Sequence, residues 1–297
     1  MRPASRLLLV CAAPLVALCW APRPATAGVS LWTSRDVVSS LYVELTRPDL
    51  EVDEQGLGTA GGSVEAVILV VPGLGLVLRM PAAFADVTYP WPYHYHESVS
   101  PDSSVVIDSS VTVSDTQADL GNLYLGTVFQ PSRAPALTLC FGTHAPTAGS
   151  ERAADLAGVA TDLTQWEDYR EAGSIDLAAR IRPRRRGRLA DVWEARWVIY
   201  LNHWDDNVPM DFLARAILGY RWHHATIWGG LDGRLTSAAG TGDPYFFQAV
   251  MAATRELGTF RPGLHLRLPL SSSLRETSTW AIGLSCEVSP RGAARNP

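Results

Sequence analysis

Eight charged residues share one property: each falls on the polar side of an alternating segment. They are Asp176, Arg180, Glu194, Arg196, Arg215, Asp232, Arg234 and Arg267. Side chains of both signs at such spacing meet across neighbouring strands and form ion-pair networks. An Arg turned to lipid at a bilayer midplane costs roughly 2–4 kcal/mol. In a membrane barrel these eight are therefore expected to line the lumen. There they either select among solutes or fill the lumen and glue it shut.

Other chemistry is thin. His94-Tyr95-His96-Glu97 offers His-x-His spacing, and His223-His224 adds two imidazoles. A zinc site needs three or four ligands in a defined geometry, so no metal is expected. Ser98, Ser100, His94 and Asp102 imitate a hydrolase set, but closeness in sequence is not a triad. The chain has no Gly-x-Ser-x-Gly elbow and no His-Glu-x-x-His. All 25 basic residues are Arg. That excludes a phosphate-loop Lys, a Schiff-base Lys and a Ser-Lys dyad. No catalytic residue and no cofactor is expected, and the chain is not expected to be an enzyme. The run Arg182, Arg184-Arg185-Arg186 and Arg188 reads as a solvated turn.

The elements that position the eight charges follow from composition. Hydrophobic residues make up 47% and charged residues 19% of 297, below the roughly 25% charged of soluble proteins. Beyond residue 27 no apolar run reaches the ~18 residues of a spanning helix. The hydrophobicity is instead spread at period two, as in Trp193, Ala195, Trp197, Ile199 and Leu201, or Leu264, Leu266, Leu268 and Leu270. Twelve strands are expected, at 37–47, 64–71, 75–81, 120–130, 136–145, 174–182, 191–203, 210–221, 225–235, 245–255, 261–270 and 278–288. The connections alternate long and short, as in an antiparallel transmembrane β-barrel with short periplasmic turns and longer outer loops. The fold class is all-β. Trp193, Trp197, Trp222, Trp228, Tyr200, Tyr220, Tyr245, Phe246 and Phe247 are expected in interfacial girdles. The segment 82–119 counts as one long connection. Its Val105-Val106-Ile107 and Val111-Thr112-Val113 are suited to an extra hairpin. It is also the expected gate, with Trp91, Tyr93 and Tyr95 as a flat apolar surface carrying orienting hydroxyls.

Residues 1–27 read as a signal peptide: Arg2 and Arg6, then the apolar Leu7–Leu18, then Ala25-Thr26-Ala27. Residues 28–297 form the barrel, with a short C-terminal tail at 289–297. Cleavage takes the formal charge from −5 to −8, because three Arg and no acid are lost. Such acidity gives no reason to expect nucleic acid. Cys140 and Cys286 remain, read as small apolar strand residues rather than a disulfide framework.

The stretch Asp119-Leu120-Gly121-Asn122-Leu123-Tyr124-Leu125-Gly126 is followed by Pro135-Ala136-Leu137-Thr138-Leu139 and Ala145-Pro146-Thr147-Ala148-Gly149. Together with Leu78-Arg79-Met80-Pro81 it resembles the meta-pathway phenol-degradation transporter-like family, among the fatty-acid-transporter-like barrels. Those chains carry a Gly-Asp-Leu-x-Leu-Gly strand and a Pro-Ala-led strand ending in Pro-Thr-Gly. The match spans residues 64–149; Asn122 stands where the family has Asp, and an aromatic final residue is absent. The resemblance implies a barrel in the cell outer membrane for passive passage of small hydrophobic or aromatic solutes. Its expected partners are outer-membrane lipid and such a solute. The alternatives are a closed structural or binding β-barrel, a secreted β-protein, and, behind these, an outer-membrane barrel hydrolase.

Overall fold

The computed structural model describes residues 39–50, 57–100, 103–148, 162–169, 173–182, 188–201, 210–237, 244–276 and 278–289. The expected signal peptide, nearly all of the tail and Arg184-Arg185-Arg186 lie outside these. So do the side chains of Trp91, Tyr93, Tyr95, His94 and Ser98.

Among the described residues the chain is thirteen strands. They are β1 (Ser40–Leu50), β2 (Leu57–Val71), β3 (Leu74–Ser100), β4 (Ser103–Leu120), β5 (Leu123–Phe129), β6 (Leu137–Ala145) and β7 (Ser174–Ile181). Then follow β8 (Leu189–Tyr200), β9 (Met210–Trp222), β10 (Ala225–Thr236), β11 (Tyr245–Arg255), β12 (Phe260–Pro269) and β13 (Ser278–Val288). Neighbours are antiparallel, and β1 pairs with β13, so the sheet closes on itself. Closure removes the sheet edges that would otherwise be left unpaired in lipid.

The ring has twelve positions because β4 and β5 share one. β3 pairs with β4 up to Ala82↔Leu120, then with β5 from Arg79↔Tyr124. The register slips by one residue at Gly121-Asn122, a bulge in one long strand. β4 pairs with β3 alone. Residues 82–119 are therefore a hairpin of β3 with β4, a correction to their reading as a connection; Val105-Val106-Ile107 and Val111-Thr112-Val113 do not pair with one another as expected but both lie on β4, opposite β3. Trp91, Tyr93 and Tyr95 lie on its β3 arm. β2 likewise starts at Leu57 rather than residue 64 and pairs with β3 up to Val87.

Burial alternates as the pattern requires. In β9, Asp211, Leu213, Arg215 and Ile217 are buried, while Leu218 is 64% exposed and Tyr220 and Trp222 are exposed too. Large apolar residues cover the outside of the ring, among them Leu45, Leu76, Leu125, Leu231, Leu264 and Leu284. An apolar outside and a charged inside is the pattern of a barrel whose solvent is lipid. Trp193, Trp197, Trp222, Tyr220, Tyr245 and Phe247 are exposed on this surface. Trp228 and Tyr200 are buried inward, and Phe246 packs on an interior Trp, so these three are not girdle residues. His223-His224 is the two-residue turn between β9 and β10, with His223 at φ 52°. Cys140 and Cys286 are both free thiols.

Candidate functional site

All eight charges anticipated from sequence sit on the inner face, and each has a partner. Asp176 accepts from Arg196 Nε at 2.7 Å and from the Tyr124 hydroxyl at 3.1 Å. Arg180 Nε donates to Glu194 Oε2 at 2.6 Å. Arg215 grips Asp232 with two bonds, at 2.5 and 2.9 Å, and Gln248 Nε2 donates to the same carboxylate at 3.0 Å. Arg234 bonds Asp211 and donates to the Tyr200 hydroxyl at 2.7 Å. Arg267 Nη2 reaches Glu44 Oε1 and Asp162 Oδ2, each at 2.9 Å. Strand parity delivers these groups to one side, and antiparallel register sets opposite signs face to face: Arg180 opposes Glu194, and Arg215 opposes Asp232.

Three of these arginines hold something that is not wall. The connection between β6 and β7 contains a 3-10 helix, Leu163–Tyr169, whose described side chains Leu163, Trp166, Asp168 and Tyr169 are all buried. The preceding Asp162 takes Arg267 and lies 3.9 Å from Arg215. The Leu163 carbonyl accepts from Arg234 Nη1 at 3.0 Å, and the Arg234 guanidinium stacks over Trp166 at 4.8 Å. Trp166 meets Phe246 edge-on, also at 4.8 Å. On the opposite wall Asp168 accepts from Arg79 Nη2 at 2.7 Å, and the Tyr169 hydroxyl donates to the Ala82 carbonyl at 3.1 Å. The helix thus spans from β9, β10 and β12 to β2 and β3. It enters from the long-loop end and narrows the lumen. The inward segment among the described residues is this one, whereas the expected gate was 82–119.

The segment is fastened at its root. Gly121 at the bulge donates to the Pro81 carbonyl at 3.1 Å, and the Asn122 amide bonds the Asp168 carbonyl. Asn122 Oδ1 accepts from the Thr147 and Ala148 amides, both at 2.9 Å. Thr147 Oγ1 donates to the Gly121 carbonyl at 3.0 Å and accepts from the Leu123 amide at 2.9 Å. A Cβ on Gly121 would stand 2.2 Å from the Asp168 carbonyl oxygen, so only glycine admits this approach.

A second anchor has the residue types of a hydrolytic relay. Ser174 Oγ lies 2.9 Å from His144 Nδ1, and His144 Nε2 lies 3.0 Å from Asp168 Oδ1. Ser174 and Asp168 are fully enclosed, and Arg79 Nη2 sits 3.1 Å from the same imidazole nitrogen. In this arrangement the three tie the helix to β6 and β7. Beneath it a cavity of about 60 Å³ runs along the wall and is lined by Tyr42, Glu65, Tyr124, Cys140, Arg180 and Arg196 among others. That is space for a few waters at ~10–15 Å³ each.

Sequence reasoning missed Glu44, Glu65, Arg79, Asp162, Asp168, Asp211 and His144. Glu44, Arg79 and Asp211 each lie on strands where inward parity was legible. Asp162 and Asp168 carry no periodic signal.

A closed ring with a loop segment folded into its lumen can be compared with known structures. An outer membrane channel from Pseudomonas putida F1 matches over 90% of this chain and 96% of its own, with a TM-score of 0.54 and 14% identity. The NanC porin matches over 84% of this chain and 100% of its own, with a TM-score of 0.50 and 6% identity. The fold is that of an outer-membrane β-barrel. No family model matches the chain, and no curated protein does.

Proposed function

We propose that the chain is a passive outer-membrane channel for small, hydrophobic or aromatic solutes, constricted by the segment 162–169. The observation that carries this is the constriction itself. A barrel kept only as a scaffold can close its lumen with wall-to-wall side chains. Here the lumen is narrowed by a separate segment on a long tether, held through side chains and a few carbonyls, and a small cavity lies further along the inner wall. Buried ion pairs of this kind add little net stability but fix geometry, which suits a removable constriction. The resemblance over residues 119–149 supports the solute class. Planar-bilayer recording tests the reading. The full chain should give small, voltage-independent steps, and a chain with 150–171 replaced by a short Gly-Ser linker should give steps several-fold larger. Silence from both would refute passage.

The Ser174–His144–Asp168 chain favours one other reading, a hydrolase. Ester turnover by the full chain that disappears in Ser174→Ala, with folding intact, would establish it.

A further inference from the structure

One row of the inner wall carries alternating charge. In register, Arg180 on β7 opposes Glu194 on β8, and Glu194 opposes Arg215 on β9. Arg215 then opposes Asp232 on β10, and Asp232 opposes Gln248 on β11. Residues directly opposite one another share a face, so the whole row looks inward. Most of it is sealed. Arg215 is 4% exposed, Asp232 0% and Gln248 5%. On its short-turn side Val192, Ile217, Trp228 and Val250 pack into one apolar cluster across β8 to β11.

The row opens at its β7–β8 end. There Arg180 and Glu194 line the cavity beneath the constriction, and the Glu194 side chain is 12% exposed. Cys140, on the inner face of β6, lines the same space and is partly exposed. An inward residue of a closed ring meets water through the lumen alone. The charged lining is balanced: Arg79, Arg180 and Arg196 stand against Glu65, Asp176 and Glu194. The volume of about 60 Å³ holds a few waters, and so many polar groups keep it wet. Charged side chains around a hydrated space sort ions by sign.

We propose that this cavity is an aqueous chamber open to small ions, and that the Arg180–Glu194 pair sets which sign enters. With the pair intact the lining is neutral and admits cations and anions alike. Loss of either partner turns the other's charge on the water. This rests on the channel reading and names the charges that a solute meets below the constriction.

Cys140 reports on the chamber. Peptide mass spectrometry reads its labelling apart from that of Cys286, which shares the outer face of β13 with Ile282 and Leu284. The probes are ethylammonium and ethylsulfonate methanethiosulfonates, one cationic and one anionic, on the folded full chain in micelles. The readout is the ratio of their rates, in which the reactivity of the thiol cancels. Both should label Cys140, with a ratio close to that for a free thiol in water. Arg180→Gln should raise the cation-to-anion ratio several-fold, and Glu194→Gln should lower it. The Arg180→Gln/Glu194→Gln double variant should return it to the full-chain value. A pair that merely braces the wall would leave the ratio unmoved in both single variants, and that result overturns the proposal. Should a single variant fail to fold, the full chain still decides: an unlabelled Cys140, or a ratio far from that of a free thiol, is equally fatal. Conductance recorded on the same samples separates the two claims. A silent barrel whose ratio follows the pair refutes passage and keeps the chamber. A conducting barrel whose Cys140 stays unlabelled does the reverse.

Discussion

Arg215 shows how one side chain serves both wall and constriction. It grips Asp232 on the neighbouring strand and stands 3.9 Å from Asp162 on the inward segment. On sequence alone Arg215→Ala, at a lumen position, is expected to be better tolerated than Leu218→Arg on the lipid face. The structure reverses that, since the residue is 4% exposed and its loss leaves Asp232 with only Gln248. Removing one member of a buried pair costs about 3–5 kcal/mol. Arg215→Ala should lower stability by that order in urea titrations of the barrel in lipid vesicles. The Arg215→Ala/Asp232→Ala double variant should recover part of the loss; strict additivity would mean the pair is not coupled. Three residues further on, Leu218 faces outward and is 64% exposed. Leu218→Arg should cost roughly 2–4 kcal/mol in the same assay. An unchanged midpoint would mean that this face does not meet lipid, since a slip of one residue exchanges every face of a strand.

At the scale of elements, the strands and the segment they enclose were unequally legible. β7, expected at 174–182 and found at Ser174–Ile181, and β11, found at Tyr245–Arg255 as expected, are set by period two alone. The hairpin was obscured by Pro90 and Pro92, which read as loop. Proline is tolerated on a strand with a free edge, and β3 has one beyond Val87, where β2 ends. Trp91, Tyr93 and Tyr95 were themselves spaced at period two, the strand signal that their neighbours hid. The inward helix could not be read, because Asp162 and Asp168 take their role from partners on distant strands, as far as Arg267, 105 residues along the chain from Asp162. One trace of it did lie in the sequence. Within the two stretches that carry the family resemblance, Asn122 Oδ1 accepts from the Thr147 amide and the Thr147 hydroxyl donates to the Gly121 carbonyl, at the helix's root. Gly121→Ala tests this root. Its Cβ cannot coexist with the Asp168 carbonyl at 2.2 Å or with Pro81 Cγ at 2.8 Å. The helix should withdraw, and single-channel conductance should rise toward that of the linker variant, with the ring still folded. Unchanged conductance would show that the helix does not depend on this contact.

The whole molecule divides into a ring, a constriction inside it and a hairpin beyond it, and the division is testable because their connections are few. Ring closure uses β3 only as far as Val87, where β2 stops, and uses the β4–β5 strand from Leu120 downward. Between those points the hairpin pairs with itself. The constriction draws its bonds from Gly62, Arg79, Ala82, Arg234 and Arg267, all on ring strands. Neither appendage is therefore needed to close the barrel. Replacing 88–114 with a tight turn should leave heat-modifiable migration and the urea midpoint as they are, since no ring pairing is lost. Conductance should stay at the value of the full chain, because the constriction keeps its anchors. Removing both the hairpin and 150–171 should give the conductance of the second deletion alone. A rise on removing the hairpin, comparable to that of the linker variant, would return the gate to the segment bearing Trp91, Tyr93 and Tyr95. The helix 163–169 would then be a brace for the wall, and its bonds to Arg79, Arg234 and Arg267 would serve stability rather than passage.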